Sequence, residues 1–349
     1  MGNGRIWTAA AMLTAIGLLL CAPLNAQNTG KTGPAWTPPK KAWGHPDIEG
    51  IYTNKDEANT PLERPDGLKG RSAEDFSAAE LESLAKARQE LAAKIAGGIG
   101  GAETGAGPTH WYEHLKGNGS RPWLIVDPPD GKLPAMTPQA QKREAAIAAL
   151  NDARNGEGRA DSWLDRSMYD RCITRGLPGS MMPAIYGNAY EIVQAPDFVA
   201  IRYEMIHETR VIPLDPSTGS GSPRAESRGD NQPKLSPAIR LYMGDARGHW
   251  EGNSLVVVTT NFTNRTHFGY NNRYNSEKFT LTERFTAVGP NTLQWQVTFD
   301  DPEVWTRPFT FVMPLMRDNS QPVFEYACHE GNLGLEHILS AARAEERQR

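Results

Sequence analysis

The feature that most constrains this chain is the run Leu293-Gln294-Trp295-Gln296-Val297-Thr298-Phe299, where large apolar and polar residues alternate without a break. A period of two puts the four apolar side chains on one face, the pattern of a half-buried strand in an antiparallel sheet. Turn-forming residues flank it, Gly289-Pro290-Asn291 before and Asp300-Asp301-Pro302 after. Similar short strands read at 190–194, 198–205 and 210–214, with Ala195-Pro196-Asp197 as a turn, and at 255–262 after the turn at 249–254. Sequential strands with short turns predict a curled meander of about eight strands, either a half-barrel or a lipocalin-like barrel. The predicted fold class is α+β, mainly antiparallel β, decorated by N-terminal helices.

The helical signals lie mostly upstream. Ser77 and Glu80 form a capping box, and Leu81, Leu84, Leu91 and Ile95 recur near helical spacing until the glycines at 97–101, which open a loop reaching Gly107. Thr137-Pro138 pairs an N-cap with a first-turn proline and predicts a helix to about Arg154. A short helix is expected at 162–171 and a last one from about Glu336, while the polar, Ser/Gly/Pro-rich stretch 215–237 reads as a loop. A strand at 48–52 follows an extended Pro- and Lys-rich leader at 27–47.

The first 26 residues follow the secretory plan: Arg5, an apolar stretch over 7–20, then Pro23 and Leu24-Asn25-Ala26, spaced for cleavage before Gln27. The expected location is periplasmic or secreted, and no later apolar run is long enough to span a bilayer. A net charge of −4 gives no basic surface for nucleic acid or anionic lipid, so the partner expected is a small molecule. Cleavage removes Cys21 and leaves Cys172 and Cys328, either a disulfide in an oxidising compartment or two buried thiols.

Two inward charges mark the candidate site. In 279–285 the apolar face of Phe279, Leu281 and Phe285 also carries Glu283, and in 305–311 the face of Trp305, Phe309 and Phe311 carries Arg307. A buried charge must be paired or change protonation state. Glu283 and Arg307 are therefore expected to face one cavity lined by Trp295, as a structural ion pair or as groups poised for a ligand. Extended as a strand, 323–330 puts Tyr326, Cys328 and Glu330 on one face and His329 on the other, with His329 a candidate acid or base. No HxH, HExxH, GxGxxG, GxxxxGK[ST] or GxSxG pattern occurs, so neither a metal, a nucleotide cofactor nor a nucleophile elbow is expected.

The segments Tyr169-Asp-Arg-Cys172-Ile-Thr-Arg-Gly-Leu-Pro, Gly244-Asp-Ala-Arg-Gly-His-Trp250-Glu-Gly-Asn-Ser-Leu-Val-Val, Thr259-Thr-Asn-Phe262, Glu283-Arg-Phe285, Asp301-Pro302 and Tyr326-Ala-Cys328-His329-Glu330-Gly-Asn332 resemble a largely uncharacterised family of secreted bacterial proteins. The resemblance covers about 165–345; Ala246 stands where the family more often has Ser, and Asn253 where Asp is common. It implies no particular reaction. The expected organisation is a signal peptide (1–26), the leader (27–47), a helical N-terminal region packed on the barrel (48–165) and the barrel with its C-terminal helix (166–349). Two functions are expected. One is acid–base catalysis on a small organic compound (lyase, isomerase or hydrolase) by Glu283, His329 and Arg307. The other is lipocalin-like binding in a cup of Trp295, Trp305, Phe309 and Phe311, with Tyr326 and Glu330 at its edge.

Overall fold

The alternating run at 293–299 is a strand whose Leu293, Trp295, Val297 and Phe299 are each at most 1% exposed. In this computed structural model the described residues are 36–99, 113, 119–152, 160–215, 235–268 and 273–348. The predicted signal peptide, most of the leader, the glycine-rich loop from residue 100 and most of the 215–237 loop lie outside them.

In chain order the first elements are β1 (Gly50–Thr53), α1 (Ala78–Ile99), β2 (Ile125–Asp127) and α2 (Pro138–Asp152). Strands β3 (Ala189–Gln194), β4 (Phe198–Tyr203), β5 (Thr209–Pro213), β6 (Asp245–Glu251) and β7 (Ser254–Thr260) follow. Then come β8 (His267–Phe268), β9 (Arg273–Tyr274), β10 (Thr280–Gly289), β11 (Thr292–Asp300), β12 (Phe309–Arg317) and α3 (Gly334–Glu346). The capping box of α1 is formed: Ser77 N donates to Glu80 Oε2 at 2.8 Å and Glu80 N to Ser77 Oγ at 3.3 Å. Thr137 Oγ1 accepts from Ala140 N at 3.2 Å and starts α2 as its sequence predicts. The stretch 162–171 holds only a single 3₁₀ turn, Trp163–Asp165.

Among the described residues ten strands form one antiparallel sheet in the order β5-β4-β3-β1-β12-β11-β10-β7-β6, with β2 pairing β12 beside β1; β8 and β9 pair separately. The sheet curls into a nearly closed barrel. Its seam is a parallel bridge from Leu214, just after β5, to Gly248 on β6, with Asp215 N donating to Gly248 O at 2.8 Å. A Cβ on Gly248 would lie 2.9 Å from Leu214 and 3.0 Å from Ile212, so the missing side chain lets the two edges meet. Both β1 and β2 are barrel strands. Residues 48–165 thus build part of the barrel wall rather than only packing on it, and 36–349 form one compact unit.

The interior is aromatic. Phe299 stacks on Phe309 at 4.6 Å, Trp295 meets Phe311 edge-on at 5.5 Å, and Phe262 contacts Phe279 at 4.8 Å. Burying rings of this size supplies most of the driving force for closing such a sheet.

The sequence pattern fails at two places. Strand β12 begins at Phe309, not Trp305, because Thr306 N bonds to Ala135 O and Pro308 has no N–H to give the ladder. Residues 323–330 form no strand: β12 is already paired on both edges, so the chain leaves the sheet there.

Candidate functional site

Glu283 on β10 is fully buried, and the structure corrects its expected partner from Arg307 to Arg210. Arg210 Nη1 donates to Glu283 Oε2 at 2.6 Å, and Trp295 Nε1 donates to Oε1 at 3.1 Å. Strands β5 and β10 are not neighbours, so this pair crosses the barrel interior. A guanidinium carries five N–H donors. Here Nε and Nη2 of Arg210 are buried and have no hydrogen-bond partner among the described residues. That is the side of the fork that grips a carboxylate through two parallel bonds.

Two further groups share this condition. Tyr203 Oη on β4 and Thr259 Oγ1 on β7 are buried without a partner among the described residues. Thr259 stands two residues along β7 from Val257, which pairs with Glu283. Burial pulls the Arg210 pKa down, but Glu283 beside it more than restores it, so the guanidinium stays charged. Burial pushes the Tyr203 phenol well above its ordinary value, against the pull of Arg210, which keeps it a neutral donor.

The connection from β4 to β5 at the barrel rim, residues 204–208, joins Tyr203 at the end of β4 to the start of β5, which carries Arg210. Glu208 on it accepts from Thr174 Oγ1 at 2.6 Å, and burial raises its carboxyl pKa. Ile206, at φ 62°, and His207, at φ 46°, adopt left-handed backbone there, as does Cys172 at φ 55°. For a β-branched residue this is strained, and such strain gathers where surroundings fix an unusual shape.

At this rim two of the segments singled out in the sequence converge. Cys172 and Cys328 form a disulfide, and Asn332 Nδ2 donates to Cys172 Sγ at 3.2 Å. Tyr169 Oη and Tyr326 Oη lie 3.4 Å apart, the Tyr186 ring stacks on Tyr326 at 6.4 Å, and His207 Nδ1 is 2.7 Å from Tyr326 O. Burial raises the phenol pKa values of Tyr169 and Tyr326, and their contact raises that of Tyr326 further.

The sequence-predicted residues therefore do not form one site. Glu283 and Trp295 sit inside the barrel. Arg307 is exposed and pairs with Asp127 on β2 at 2.9 Å. His329 and Glu330 are exposed on the segment that leaves the sheet. Trp305, Phe309 and Phe311 are buried, but they pack ring against ring, with Trp305 and Phe309 5.4 Å apart, and belong to the core. Tyr326 alone of the outer candidates joins a cluster.

Other residues singled out in the sequence build the fold. Asp245 accepts from Leu235 N at 3.1 Å, and Asn261 Nδ2 donates to Ser236 O at 3.2 Å, which holds the segment after the 215–237 stretch against the barrel. Asp301 accepts from Ser276 N at 2.7 Å and Ser276 Oγ at 2.6 Å. Among the described residues no group of three His, Cys, Asp or Glu side chains is placed to hold a metal, and no helix is long and apolar enough to cross a membrane.

Sequence reasoning gave Arg210, Tyr203 and Arg175 no role in the site. Arg210 shares its inner face with Ile212, whereas Val211 points out at 57% exposure. With Val211 and Ile212 adjacent, hydropathy does not say which face is inward, although a lone Arg in an apolar strand was the available signal. No family model, curated protein or solved structure matches the chain.

Proposed function

We propose that this protein is an exported, lipocalin-like binding protein that takes the anionic group of a small molecule on the Nε–Nη2 edge of Arg210, beside Tyr203. The carrying observation is the set of buried donors around Glu283 that have no partner among the described residues. Native interiors pair more than about nine in ten buried polar groups, so a cluster of exceptions in one place calls for a ligand or ordered water. Two parallel N–H donors and a neutral phenol match a carboxyl group, and because Glu283 already balances the charge of Arg210, the bound carboxyl and Glu283 would share one proton. Export to the periplasm accords with the N-terminal signal pattern and with the disulfide left after its removal. Catalysis by Glu283, His329 and Arg307 has less support, because the three share no site: Glu283 is bonded to Arg210 and Trp295 inside the barrel, whereas His329 and Arg307 are exposed.

The test is native mass spectrometry of the mature protein purified from periplasm, followed by titration with a pool of small carboxylates. A retained or added carboxylate whose affinity drops at least tenfold in Tyr203→Phe is the expected result. Arg210→Gln should abolish binding, but it also strands Glu283, so the tyrosine variant is the cleaner probe. If no carboxylate binds and crystals show only water on Arg210 and Tyr203, the reading fails.

A further inference from the structure

The rim holds a cation that the interior pair does not explain. Arg175 lies in the segment after Cys172, with its guanidinium carbon 5.6 Å from the centre of the Tyr169 ring. Its Nη1 is buried and without a hydrogen-bond partner, and it makes no salt bridge among the described residues. Tyr169 beside it touches Tyr326, on which Tyr186 stacks, so three half-buried phenols run on from the guanidinium. Two exposed apolar side chains flank them in sequence, Ile185 at 40% and Phe324 at 59% exposure.

From this juxtaposition of an unpaired guanidinium, phenol donors and stacked aromatic faces, we propose a second, outer site that binds an aromatic monocarboxylate. Arg175 receives the carboxylate together with a hydroxyl at the open end of the bonded tyrosine cluster, and the ring lies against the tyrosine faces. One guanidinium balances one negative charge, which selects a monoanion over a phosphate dianion. Neutral phenols donate hydrogen bonds to an anion and do not repel it. Aromatic faces and exposed apolar groups favour a planar ring over a short aliphatic acid. The site is split between residues 169–186 and 324–326, so the disulfide joining Cys172 to Cys328 holds its two halves together. The inference stands independently of the interior reading.

The experiment titrates the oxidised mature protein with benzoate, acetate and benzamide, followed by tyrosine fluorescence and calorimetry. Benzoate should bind, acetate at least tenfold more weakly, and benzamide not measurably. Arg175→Gln should lose at least tenfold in benzoate affinity while keeping its melting temperature, because the side chain is partly exposed. Reduction of the disulfide should weaken benzoate binding similarly. Equal binding of benzamide, or unchanged affinity in Arg175→Gln, overturns the proposal. Acetate binding as well as benzoate removes the aromatic part of it. A benzoate site lost in Tyr203→Phe but kept in Arg175→Gln moves the ligand inward, which overturns the outer site and leaves the interior reading intact.

Discussion

At the scale of single residues, Glu283 shows how a buried charge shapes what a substitution does. Its carboxylate is held by Arg210 and Trp295, and both members of the ion pair are buried. Glu283→Gln should therefore destabilise the protein by roughly 3–5 kcal/mol, because it strands a buried guanidinium. The double variant Glu283→Leu/Arg210→Met should recover much of that loss, since replacing both members of a buried pair by apolar residues is often neutral. Chemical denaturation of the single and double variants decides this; a double variant no more stable than Glu283→Gln would reject it. The tyrosines make a pH prediction. Tyr169, Tyr203 and Tyr326 have folded-state pKa values raised by burial, so they stay neutral where unfolded tyrosine begins to ionise. The stability they contribute is complete below about pH 10 and is lost as pH rises beyond it. Thermal melts from pH 8 to 11 should show the fall, and the variant Tyr169→Phe/Tyr203→Phe/Tyr326→Phe should flatten it.

At the scale of elements, the barrel depends on a seam that no hydrophobic pattern announces. Gly248 lets β6 approach Leu214 and Ile212, where any Cβ would crowd them. Gly248→Val should cost about 1–3 kcal/mol through overpacking and should loosen the seam. Hydrogen exchange should then rise at Asp215, whose N–H bonds to Gly248 O, before it rises on β11. Equal protection in the variant would place closure elsewhere. The strongly alternating elements were legible in advance: β11 lies where its period predicts, and α1 and α2 start at their predicted caps. Residues 305–308 and 323–330 were not, because period-two reading assumes a ladder. Pro308 interrupts one such ladder, and the paired edges of β12 leave no room for the other.

At the scale of the whole molecule, export is the claim that a direct measurement reaches. Intact mass of the protein recovered from periplasm should correspond to a chain starting at Gln27 with no titratable thiol; retention of residues 1–26 would reject the secretory reading. What the sequence by itself determined is local: strand alternation, helix caps, turns and the plan of the first 26 residues all depend on neighbours a few positions apart. Only the tertiary structure decided which distant groups meet. Arg210 and Glu283 are 73 residues apart, and Cys172 and Cys328 are 156 apart. Alternation assigns a side chain to a face but says nothing of strand order, and strand order is set by how the whole barrel closes. That is why Glu283 was read correctly as an inward charge and given the wrong partner. The same closure brings Tyr169, Arg175 and Tyr326 to one rim, a grouping that no spacing along the chain encodes.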